Sequence, residues 1–362
     1  MYFVYKNKNC PVIIWDNEAL LNPLADVRYR QGRLIGAMDA LAINLQNEAI
    51  LETLTLDITK CAEMENIFLD EEKVRMSIAC KFGISNKKLT EKDEKVDGLI
   101  EAMMDATINC NLPLSDERMF FWHEIVISKR EKEKHEKKGK FSKLSRIKKV
   151  VYQAINKNST GFRALANKEM TNFINWFNTE TELDSVTKAA ISHLWFVTIS
   201  PFDEGNARIA GLLTNMLLAR SDNTLHRFYS MLAQMKSDEI QYHSILEKTQ
   251  NENFDVTNWM LWFFDCMKKA LKATDVILLS VMKKSEFWKI HDRTLLNNRQ
   301  RLVINKLLND TDVKLQSSKW AQMANCSSDT ALRDIKDLIK KGILRQRNQR
   351  GRSTNYELIK IG

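Results

Sequence analysis

The sequence predicts a mainly helical protein, and three observations carry that reading. Only four prolines and eleven glycines punctuate 362 residues, so few positions force the chain out of a helix. Apolar residues recur three and four apart over long stretches, the period of an amphipathic helix. Extended signatures are confined to a few short runs rich in β-branched residues.

Taken in order, Ile13-Ile14-Trp15-Asp16 reads as a short extended start. It leads into a helix over Leu20–Leu45, where Leu24, Val27, Leu34, Ile35, Met38 and Leu41 share a face. A second helix runs from Ala49 to Glu65 with Asn66 as its cap, and a third opens at Asp70 with acids in its first turn. Helices follow at Val96–Ala106, Leu114–Val126 and Ser185–Thr198. Between the last two, Val150-Val151-Tyr152 suits a strand and Gly161 a turn, although a solvated loop fits the lysine-rich surroundings too. Arg227–Tyr242 and Val256–Met282 are strong helical runs. At the carboxyl end, Leu302–Leu308, Ser318–Ala324 and Ser327–Lys341 read as short helices, with Ser327 capping the third. Ile343 to Ile359 then reads as a hairpin turning at Gly351.

The most informative stretch is Ser200-Pro-Phe-Asp-Glu-Gly-Asn-Ala-Arg208, placed between two apolar helical runs. Pro201 ends the first helix and biases Ser200 away from the helical region. Gly205-Asn206 permits a sharp turn before the next helix. Amide hydrogens of such a turn, with a helix N-terminus behind them, suit a phosphate. Arg208 is placed to fork onto that phosphate and Glu204 to hold a magnesium ion. Spacing alone also leaves open a plain helix–turn–helix corner with a surface arginine.

The stretch resembles the Fic motif, His-x-Phe-x-Asp/Glu-Gly-Asn-Gly/Lys-Arg-x-x-Arg, of enzymes that move AMP from ATP to a protein hydroxyl. Phe202, Glu204, Gly205, Asn206 and Arg208 match it; Ser200, Ala207 and Gly211 depart from it. The resemblance implies a Fic-like helical core with a short β-hairpin flap. It places an amino-terminal helical domain at 1–95, the core at 96–290 and a winged helix-turn-helix at 291–362. It further implies ATP and Mg2+ as ligands, phosphates on Gly205, Asn206, Ala207 and Arg208, and adenine against Tyr242 and His243. Cys61-Ala-Glu-Met-Glu65-Asn66 is similar to the family's inhibitory Ser/Thr-x-x-x-Glu-Gly/Asn, which makes Glu65 the inhibitory glutamate; a solvated helix-end carboxylate is the plainer reading.

The departures bear on chemistry. The family's histidine accepts the target hydroxyl's proton as that oxygen attacks the α-phosphate, and imidazole titrates near neutrality. Ser200 cannot accept that proton, and losing a general base costs on the order of 10² to 10⁴ in rate. AMP transfer is therefore expected to be weak or lost. Gly211 removes the arginine that pairs with the inhibitory glutamate in related proteins, leaving Glu65 to find another partner.

Charge divides the chain. Residues 129–149 hold eleven Lys/Arg against three Glu, and residues 299–362 hold fourteen Lys/Arg against six Asp/Glu, while the formal net charge is +9. The rest is thus net acidic, and the basic patches point to polyanionic partners at those two places. In the winged-helix reading, Arg333 and Lys336 face DNA from the recognition helix, and Arg347, Arg350 and Arg352 form a basic wing. Such modules also serve as protein-interaction domains. No apolar run is long enough to span a bilayer, the amino terminus lacks a signal pattern, and six scattered cysteines show neither metal spacing nor a disulfide framework. A cytoplasmic location is expected. The expected partners are ATP, a target protein and DNA, with no membrane; a homodimer stays open. Two functions follow: a Fic-type AMP transferase with impaired chemistry, or a silent Fic fold that acts as a DNA-binding regulator.

Overall fold

A computed structural model describes residues 13–64, 67–84, 94–127, 160–202, 204–224, 227–251, 255–309, 315–347 and 354–359. By contacts the chain forms two compact units, residues 1–275 and 276–362. The expected inhibitory Glu65, the basic 129–149 segment, the Val150–Tyr152 strand, Arg350 and Arg352 lie outside the described residues.

The first unit is helical. Its elements are α1 (Asn17–Asp39), α2 (Ile43–Glu63), α3 (Glu71–Lys81), α4 (Glu94–Ile108), α5 (Asp116–Val126), α6 (Thr160–Thr179), α7 (Ser185–Ile199), α8 (Asn206–Asp222), α9 (Met231–Ser237) and α10 (Glu239–Asn251). The first part of α11 (Thr257–Ile290) completes it. Side-chain oxygens start many of these helices: Asp16, Asp70, Ser115, Asp184 and Ser230 each accept a first-turn amide.

The centre is the pair α7 and α8. Both are apolar around most of their circumference, a pattern that only full burial satisfies. Along α8, Ile209 through Ala219 are all buried. The other helices surround this pair: α4 and α5 pack on α8, α6 packs on α7, and α2 packs on α8 and α9. Arg28 of α1 donates to the Asp184 carboxylate, which also caps α7. Deeper in, Asp57 accepts from Ser230, and Asp222 accepts from Gln31 and Tyr229 beside Arg227. Burial raises the carboxyl pKa of Asp57 and of Asp222 above the ordinary range.

Three expectations are corrected. The first predicted helix is two: the chain breaks after Asp39 and restarts at Ile43, because Ala42 is extended (φ −62°, ψ 145°). Gly161, expected in a turn, lies inside α6, a helix that local sequence did not announce. Arg227–Ser230 is not helical; Ser230 instead caps α9. The extended start is present as a parallel bridge between Ile14 and Asp255, with Val256 N–H donating to the Ile14 carbonyl at 2.9 Å.

The second unit contains the end of α11, then α12 (Asn298–Asn309), α13 (Ser317–Met323) and α14 (Ser328–Lys340), and a hairpin of β1 (Leu344–Arg347) and β2 (Asn355–Leu358). The strands are antiparallel with Leu344 opposite Leu358 and Arg347 opposite Asn355. Trp320, Ile304, Ile335, Leu338 and Leu315 fill a core of its own. Among the described residues no helix is long and apolar enough to cross a membrane.

Candidate functional site

The loop between α7 and α8 is built by local constraints. Helix α7 ends at Ser200, whose N–H bonds the Phe196 carbonyl and whose backbone turns left-handed (φ 50°, ψ 60°). Pro201 therefore does remove Ser200 from the right-handed helix, but into the left-handed region instead of an extended one. Asn206 closes the loop by itself. Its Oδ1 accepts from the Phe202 N–H at 3.0 Å, and its Nδ2 donates to the Phe202 carbonyl at 2.6 Å.

Gly205 is the N-cap of α8, at φ 83°. The left-handed backbone demands glycine, and a β-carbon there would also have to displace Ile127 Cδ1, 2.7 Å away. As N-cap, Gly205 offers no side chain of its own to the opening amides of α8, which stand at the positive end of the helix dipole. Ala207, the second departure from the motif, sits in the first turn of α8 and has no positive φ. The methyl group is accommodated without backbone strain.

The last turn of α5 supports the loop from outside. Arg208 is 1% exposed, and its Nη1 donates to the Val126 carbonyl. The guanidinium thus serves a carbonyl at the end of α5. His123 bonds the Glu204 carbonyl through Nε2 at 3.2 Å and stacks on Phe202, with ring centroids 4.0 Å apart and planes 16° apart. Phe120 meets the same phenyl ring edge-on. Sequence reasoning missed His123, because nothing in the spacing of α5 marks it. The side chain of Glu204 itself is exposed.

The adenine pair divides. Tyr242 is 3% exposed and its hydroxyl lies 3.1 Å from His193 Nε2, within a cluster that includes Trp259 and Trp262. Burial pushes its phenol pKa up. It lies in the core here, edge-on to His243. His243 has a 65% exposed side chain, beside Glu239 at 3.9 Å. His193, fully buried, is held by Thr214 at 2.9 Å and Tyr242, and burial lowers its pKa to about 4. So enclosed, His193 is a core residue.

Gly211, the third departure, faces Leu232: a β-carbon there would lie 3.0 and 3.1 Å from its two methyl carbons. In the second unit, Arg333 and Lys336 are exposed on α14 opposite its buried Ala331, Ile335 and Leu338, and Arg347 pairs with Glu357 at 3.3 Å.

The central helix pair is joined by a turn that Asn206 staples to Phe202, with Gly205 heading the second helix. Residues 113–218 match the model of the Fic/DOC family, and the chain carries a Fic/DOC family domain there. Residues 3–84 match a domain of unknown function (DUF4172). Protein adenylyltransferase Fic of Drosophila grimshawi is 35% identical over 104 residues, 28% of this chain and 20% of that protein. Protein adenylyltransferase fic-1 of Caenorhabditis elegans is 38% identical over 56 residues, 15% of this chain and 11% of that protein. The aligned stretch thus spans a fifth or less of these relatives. A solved fragment of Fic-1 from C. elegans superposes with a TM-score of 0.50 at 18% identity, covering 74% of this chain and 76% of the fragment. That likeness is one of fold.

Proposed function

We propose that this chain is a Fic-type protein that binds ATP with magnesium at the loop Ser200–Arg208 and has weak or no AMP-transfer activity. One observation carries the reading: α8 begins at a left-handed Gly205, behind a turn that Asn206 holds closed, so that a glycine turn leads straight into a helix head. Amides at such a helix head suit a phosphate group. Ala207, in regular helix, leaves that face intact. The kinship with named protein adenylyltransferases supplies the choice of nucleotide and the reaction class.

In this reading each residue has a task. Amides at the start of α8 hold the triphosphate, and Arg208 fixes the helix start against Val126. Glu204, exposed at the loop, would hold magnesium together with phosphate oxygens. Exposed His243 is left as the stacking partner for adenine. Magnesium, when bound, neutralises phosphate charge as the target hydroxyl attacks. Ser200 stands where the proton must go, and a hydroxyl cannot take it at neutral pH. The three segments 1–95, 96–290 and 291–362 are proposed as regulatory helices, core and winged helix, in a cytoplasmic protein.

Calorimetric titration of the full chain with ATP and magnesium tests this. Saturable binding that falls away in Gly205→Ala is the expected result; no heat at millimolar ATP would end the proposal.

A second reading rests on the exposed Arg333 and Lys336 on one face of α14. Such a face, backed by an apolar one, fits a recognition helix, and the net charge of residues 299–362 fits phosphates. Full-length protein is expected to shift duplex DNA at low salt, and Arg333→Ala with Lys336→Ala to abolish the shift. No shift at low salt would remove this reading.

A further inference from the structure

The motif loop is set by a residue outside the motif. The Glu204 carbonyl has no proton to give, so His123 Nε2 carries the hydrogen in their 3.2 Å bond. The Glu204–Gly205 peptide is trans, as are all described peptides. In a trans peptide the carbonyl and the amide hydrogen point in opposite directions. Drawing the Glu204 carbonyl toward α5 therefore turns the Gly205 N–H the other way, away from α5. The same imidazole lies flat on Phe202, whose own N–H and carbonyl are both taken by Asn206. Two ends of the loop thus meet on one ring.

We propose that His123 is a positioning residue, which orients the Glu204–Gly205 peptide and so presents the amides at the head of α8 to a polyphosphate. This rests on the nucleotide reading for its ligand but not for its geometry. Helix α5 contributes two further supports beside it: the Val126 carbonyl holds Arg208, and Ile127 Cδ1 sits where a Gly205 side chain would be. Of these three, His123 alone reaches the loop through a donated hydrogen bond. The assignment differs from catalysis: His123 acts through the peptide, not on the reacting atoms.

Two substitutions separate the bond from the stack. His123→Gln keeps an N–H at a comparable reach and loses the ring; His123→Phe keeps the ring on Phe202 and loses the donor. Both full-length variants are first checked for an unchanged melting midpoint. Titrated with ATP and magnesium, His123→Phe is expected to bind about tenfold more weakly, and His123→Gln within about threefold of the original chain. Hydrogen–deuterium exchange of the 200–210 amides without nucleotide provides an arm independent of the ligand. Faster exchange in His123→Phe, restored in His123→Gln, is the expected pattern. If the original chain binds no ATP while that exchange pattern is present, the nucleotide reading falls and the positioning role stands. Unchanged exchange in His123→Phe, or equal change in both variants, overturns the inference.

Discussion

Leu232 occupies the space beside Gly211, its two methyl carbons 3.0 and 3.1 Å from where a β-carbon would be. The contact joins α8 to α9 at the position where the Fic motif has its last arginine. Departure at Gly211 is thus a matter of packing as well as charge: a leucine fills the room that a side chain there would need. Gly211→Arg is expected to lower stability by about 3 kcal/mol or more, from overpacking together with a buried cation. Adding Leu232→Ala should recover part of that loss. Thermal unfolding of the single and double variants measures both; a stable Gly211→Arg protein would show that α9 yields easily.

Restoring the base is the complementary change. Ser200 has φ 50°, a region that histidine tolerates better than β-branched residues do. Ser200→His should therefore fold and, with ATP and magnesium, gain self-labelling or target labelling by about 10² to 10⁴ over the original chain. Transfer of label from α-labelled ATP reads this directly. If Ser200→His binds ATP yet transfers nothing, the missing arginine at Gly211 matters as much as the missing base.

Much of this was legible in the residues. The central helix pair announces itself through apolar runs on both sides of Ser200–Arg208, and Ser327 starts its helix as its side chain dictates. The site was legible as a loop but not as a set of directions. Arg208 and Tyr242 are polar residues whose types suit a ligand, and only packing shows that one serves Val126 and the other His193. His123 gave no signal, because its role comes from the approach of α5, distant in sequence. The break at residues 40–42 was missed because alanines there read as helix and the extended Ala42 is a tertiary outcome.

Asn206 should prove more sensitive than its size suggests. Asn206→Ala removes both bonds to Phe202 and is expected to cost about 1 to 2 kcal/mol, with nucleotide affinity falling at least tenfold. Asn206→Asp keeps the acceptor for the Phe202 N–H but loses the donor and sets a negative charge at the helix head. It should bind ATP no better than Asn206→Ala, although its fold is closer to intact. Paired melting and titration experiments check the order.

Acid should weaken the core through His193. Its pKa is about 4 when folded and near 6.5 when unfolded, so between those values the unfolded chain binds a proton that the folded chain refuses. The contribution is complete above pH 6.5 and is lost as pH falls toward 4, amounting to about 3 kcal/mol at the lower end. His193→Gln is expected to flatten the stability profile across that window. Chemical denaturation at pH 7, 5.5 and 4 measures it, and parallel profiles for both proteins would remove His193 as the source; Asp57 and Asp222, whose raised carboxyl pKa values favour the fold in acid, work in the opposite direction.

The seam between Ile14 and Asp255 carries a consequence for how such a chain is assembled and cut. Asp16 donates its N–H to Thr257 Oγ1 at 2.9 Å, and Val256 to Ile14, so the opening residues and the start of α11 are sewn together. Exchange of the leading helices for foreign ones, in evolution or at the bench, must import a matching stitch at 255–257. A clone that begins at α4 would hand the Val256 amide and the Thr257 hydroxyl to water and lose the tie that holds the head of α11.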